Sequence, residues 1–146
     1  MSTFGEWHFT ADVERTRAAY ALAPAGSASL CTCNGCRNFA ATHLEAFPES
    51  FVDFLTTLGV DAAKDGEVYH VGRKAPALHY YGGWFHFVGT LDLTGDFAAV
   101  EMAPGFSVSL CKAGAPPLES LRSFRLVQIE FQSDHVPWVL DEPEAT

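Results

Sequence analysis

A change of hydrophobic period part-way along the chain limits the fold more than any other feature. Upstream, Cys36, Phe39, Ala40, His43, Leu44 and Phe47 recur at three- and four-residue steps, the spacing that gathers side chains on one helix face. Asn38, Thr42 and Glu45 are expected to turn away from it. Pro48 then suits the first turn of a further helix, with Phe51, Phe54, Leu55 and Leu58 as its buried stripe and Gly59 as its left-handed end. Ahead of both, Thr10 is placed to cap a helix whose first turn carries Asp12 and Glu14 and which runs through Arg15, Arg17 and Tyr20. From Glu67 onward the period falls to two, with strand-like runs EVYHVG, ALHYY, WFHFVGTLDL, FSVSL and SFRLVQIEF. Helices first and strands afterwards, without alternation, predict an α+β fold: about three helices over residues 10–59, then an antiparallel sheet of about five strands over residues 67–132. The last residues, 141–146 (DEPEAT), read as a frayed acidic tail. At 146 residues the chain fits one domain, residues 1–146, able to bury very roughly two thirds of its unfolded surface.

Within the sheet half, HYYGGWFH puts Gly82 and Gly83 between two aromatic runs, the composition of a tight hairpin turn. With a two-residue turn, Tyr81 faces Trp84, Tyr80 faces Phe85 and His79 faces His86, while Leu78, Tyr80, Phe85 and Phe87 supply the core. Directly opposed residues have Cβ atoms about 4.5–5.5 Å apart, near enough for two imidazoles to share one metal ion. The same geometry makes Tyr81, Trp84 and His86 an aromatic and histidine surface for a ligand.

Three of the four cysteines fall within six positions, as Cys31, Cys33 and Cys36 in CTCNGC. One thiol precedes a turn and another begins a helix, so three soft donors converge as a tetrahedral zinc site requires. A fourth ligand is missing locally. His43 lies on the same helix face, but two turns away, about 10.5 Å, which makes shared coordination barely reachable. The remaining candidates are His79, His86 and Cys111, and closure by any of them ties the helical half to the sheet, turning binding energy into folding energy. An open fourth position holding water would instead give a metal-dependent enzyme. A rival reading takes Cys33 and Cys36 as a CxxC redox pair, with Cys36 near a helix start. No βαβ pattern precedes it, and Cys31 adds a thiol that a dithiol switch does not need.

Charge excludes one class of partner. Eighteen acidic residues against nine basic give a net charge of −9, and the basic residues are scattered, so nothing displaces the counterions of a nucleic acid. A cationic protein partner is compatible, which leaves an acidic inhibitor or immunity-type protein as a further alternative. The start of the chain carries no basic leader with an apolar core, and the longest uncharged runs are broken by Pro, Gly and polar residues. A cytoplasmic protein without a membrane span is therefore expected, with free or metal-bound thiols rather than disulfides.

CTCNGCRNF, the helix FPESFVDFLTTLGVD and the block YYGGWFHFVG together resemble a family of small, standalone bacterial proteins with a CxCxxCxN(F/Y) signature. The resemblance covers roughly residues 29–90 and rests on Cys31, Cys33, Cys36, Asn38, Gly83 and His86. It implies an intact domain and a shared site at those positions, and carries over no activity.

Overall fold

A computed structural model describes residues 1–42, 44–92 and 97–146. The fold is α+β, as the change of period requires. Strands β1 (Ser2–Phe4) and β2 (Trp7–Ala11) form a hairpin through Gly5, whose positive φ of 57° suits glycine. Helix α1 (Val13–Leu22) follows, capped by Asp12 rather than Thr10: the Asp12 carboxylate accepts the Arg15 N–H at 3.1 Å, and Thr10 belongs to β2. The short α2 (Ser27–Leu30), α3 (Asn34–Ala41) and α4 (Glu49–Thr57) complete the helical half.

Helix α3 stops at Ala41 instead of running on to Phe47, because Leu44 takes a positive φ of 72° and the chain turns before α4. Pro48 and Gly59 bound α4 as expected. The sheet half comprises β3 (Glu67–Ala75), β4 (Leu78–Leu91), β5 (Val100–Ala103), β6 (Phe106–Lys112) and β7 (Leu126–Pro137).

Among the described residues these strands make one seven-stranded antiparallel sheet in the order β1-β2-β4-β7-β6-β5. The long β4 pairs with β2 near Thr90 and with β3 over its first half. The count exceeds the expected five because β1, β2 and β5 are too short to show a period, while ALHYY and WFHFVGTLDL are one strand.

That last point corrects the expected hairpin. The reversal lies earlier, at Pro76 and Ala77, where Ala77 has φ 64° and Ala75 pairs with Leu78. Gly82 and Gly83 are mid-strand, and glycine is needed there for close approach rather than for turning. A Cβ at Gly82 would lie 2.5 Å from the Tyr69 ring, and one at Gly83 would lie 2.5 Å from the Glu67 carbonyl oxygen and 2.8 Å from the Phe131 ring. His79 and His86 therefore share one strand, roughly 23 Å apart along it, and do not oppose each other. Faces change accordingly: Tyr81 is 1% exposed with Phe85 and Phe87 in the core, whereas Tyr80, expected inside, is 40% exposed.

The core lies between the helices and one sheet face. Phe47 packs on Phe131 at 5.1 Å and Phe51 on Phe106 at 5.0 Å between ring centroids, with Phe39 stacked beside them. These rings contribute about 0.5–1.5 kcal/mol per pair beyond the burial of their area. Asn38 and Thr42 do not face away from the body: both are buried, Asn38 because residues 137–139 cover that side of α3. That end is anchored rather than frayed, through Glu142 on Arg37 and Glu144 on His79. Among the described residues no helix is long and apolar enough to cross a membrane.

Candidate metal centre

The thiols meet because of how α3 begins. Cys33 is extended, with φ −68° and ψ 153°, and caps the helix; its sulfur accepts the Cys36 N–H at 3.4 Å. Cys31, leaving α2 in an extended conformation, brings its Sγ to 3.3 Å from Cys33 Sγ. The sulfur atoms of Cys31, Cys33 and Cys36 all lie within 4.8 Å of one another. Tetrahedral zinc with bonds of about 2.3 Å needs sulfurs about 3.8 Å apart, which this spacing accommodates. The donor set fits a soft or borderline cation.

Cys33 and Cys36 are electrically unequal. Cys33 is exposed, and the backbone N–H of Cys36, then the thiols of Cys31 and Cys36, hold its pKa below the ordinary value. Burial pushes Cys36 upward, and its thiol donates to the Val68 carbonyl on β3 at 3.7 Å. Cys33 thus ionises more readily than Cys36, from which a bound cation would have to drive proton loss.

The loop is gripped from several sides. The Tyr81 hydroxyl donates to the Gly35 carbonyl at 2.7 Å, and burial raises its pKa to about 12, keeping the proton in place. The Asn38 amide donates to Tyr81 Oη and to the Pro137 carbonyl, and its oxygen accepts the Val139 N–H at 2.7 Å. Arg37 donates to the Thr32 carbonyl and forks onto Glu142 at 2.8 and 3.1 Å.

The other predicted ligands lie elsewhere, and the 4.8 Å group contains none of them. His79, fully buried, places Nε2 2.8 Å from Glu144 Oε1 and Nδ1 2.7 Å from His70 Nε2, with the Trp138 ring at 4.9 Å. His86 Nε2 lies 3.2 Å from Gln128 Oε1, which also accepts the N–H groups of Gly114 and Ala115. Burial holds His86 below its ordinary pKa, and its Nδ1 is buried with no partner among the described residues. Trp84 and His86 share the outer sheet face, opposite to Tyr81, so the three do not form one surface. Cys111 is on that outer face too, where burial and then Glu130 push its thiol up to about 11. His43 lies outside the described residues.

His70 is the neighbour that sequence reasoning missed. Its Cβ stands 3.0 Å from where a Gly35 Cβ would be, between the thiol loop and the Tyr81 ring. The alternation of EVYHVG places it on the same face as Val68; only the packing of α3 on β3 brings it to the loop. Compared with protein-family models, with curated proteins and with solved structures, the chain gives no match.

Proposed function

We propose that this is a zinc-thiolate protein in which Cys31, Cys33 and Cys36 hold one ion that fixes the α2–α3 loop against β3. The convergence of three sulfurs from one short loop carries the reading. Because the loop packs on Val68, Tyr81 and, through Arg37, on Glu142, ion binding there would become folding energy for this corner of the molecule. The exposed Tyr69, Val71 and Tyr80 offer an apolar, Tyr-rich surface to a partner, and a net charge of −9 favours a cationic one. A reducing compartment such as the cytosol keeps the thiols available. Elemental analysis of protein purified under reducing, chelator-free conditions is expected to find about one zinc per chain; none would overturn the reading.

A second reading rests on the inequality of the thiols. An exposed Cys33 of lowered pKa beside a desolvated Cys36 is the arrangement of an attacking and a resolving thiol. It predicts a reversible Cys33–Cys36 disulfide after mild oxidation, detected by mass spectrometry, and a bound ion would block that disulfide.

A further inference from the structure

Three thiolates leave a tetrahedral ion one ligand short, so the zinc reading raises the question of which group completes it. Cys111 and His86 belong to the outer face of the sheet, across from the helices. His79 has both nitrogens engaged. His70 remains, and the chain of hydrogen bonds behind it fixes which of its nitrogens is available.

The chain starts at Glu144. Its carboxylate accepts the Ala77 N–H at 2.8 Å and pairs with Arg73 at 3.4 Å, so it serves as an acceptor toward His79. In the neutral ring this puts the hydrogen on His79 Nε2 and the lone pair on Nδ1. That lone pair accepts from His70 Nε2–H at 2.7 Å. The tautomer this imposes leaves His70 Nδ1 as a bare lone pair, with no hydrogen-bond partner among the described residues. Metal-ligating histidines almost always donate their other ring N–H to an acceptor of this kind, which fixes the ring and raises its basicity.

Position agrees with protonation. Val68 and His70 lie on the same face of β3, and the Val68 carbonyl already touches Cys36 Sγ at 3.7 Å. Gly35, between Cys33 and Cys36, lacks the Cβ that would hold the loop away from His70. The His70 nitrogens lie outside the 4.8 Å group, so ligation by His70 requires loop and strand to draw together.

We propose that His70, through Nδ1, is the fourth ligand of the ion, with His79 and Glu144 holding it in the ligating tautomer. The assignment rests on the zinc reading. It makes the site a Cys₃His centre bridging α3 and β3, closed to substrate and hence structural.

Cobalt(II) and cadmium(II) serve as probes. Reduced wild-type protein with cobalt should show thiolate-to-cobalt charge transfer together with tetrahedral d–d bands. His70→Ala should keep the charge transfer, change the d–d envelope and bind at least roughly 10–100-fold more weakly, since loss of an outer partner of a ligand alone costs that much. In cadmium-loaded wild-type protein labelled with ¹⁵N-histidine, scalar coupling between ¹¹³Cd and His70 Nδ1 tests the bond without relying on a variant's folding. Charge transfer with an unchanged His70→Ala spectrum, or no coupling to His70, overturns the assignment and leaves the three-thiolate site standing. No charge transfer in the wild type overturns the zinc reading, and this assignment with it.

Discussion

The molecule holds thiols in two settings that differ in what points at the sulfur. At the start of α3, Cys33 receives a backbone N–H and two neighbouring thiols, all of which favour the thiolate. On β6, Cys111 is half-buried beside Glu130, and both burial and the carboxylate favour the neutral thiol. Similar side chains thus acquire opposite chemistry from one donor or one acceptor in the right place. Cysteine content alone is a poor guide to reactivity; the local direction of hydrogen bonds decides it.

The largest effect expected from this contrast concerns metal. Cys33→Ser should drop zinc from about one per chain to near zero by elemental analysis, whereas Cys111→Ser keeps it. Equal retention by both variants would erase the distinction. Next comes reactivity. In reduced, zinc-free protein at pH 7.5, iodoacetamide should label Cys33 at least roughly tenfold faster than Cys111, read by peptide mass spectrometry. Faster labelling of Cys111 would show that neither the exposure of Cys33 nor its N–H donor sets its reactivity.

The smallest effect is the pH response of the outer face that Cys111 shares with His86. Burial keeps the folded-state pKa of His86 below that of the unfolded chain, about 6.5. Its contribution is therefore complete above about pH 6.5 and is lost as pH falls toward the folded value, because the unfolded state then binds the proton more readily. The urea midpoint should be lower at pH 5.5 than at pH 7, and His86→Gln should flatten that difference. Asp65, which burial raises, acts in the opposite sense, with its contribution complete only below about pH 3.9.

The parts of the fold legible from sequence are those where one physical demand sets the residues. The stripe of α4 and the alternation of β6 answer only to burial, and both elements appear near their expected bounds, whereas β7 starts three residues after the run SFRLVQIEF begins and continues six residues past its end. The thiol cluster was legible because three soft donors at that spacing have few other uses. Gly82 and Gly83 were misread because glycine answers two demands, a turn or a close approach, and the Tyr69 and Phe131 rings that decide between them come from distant strands. Asn38 looked solvated because helical spacing cannot register a cover supplied by Pro137 and Val139. His70 carried no local mark at all. Its role depends on His79, Glu144 and the docking of α3, none of them neighbours in sequence.

The grip of Arg37 and Asn38 on Glu142, Pro137 and Val139 joins residues about a hundred positions apart. During synthesis the thiol loop leaves the ribosome roughly 5–20 seconds before those partners exist, at about 5–20 residues per second. For that interval the nascent chain carries three thiols on an unclamped loop, and early capture of an ion would guard them against oxidants until residues 137–142 arrive.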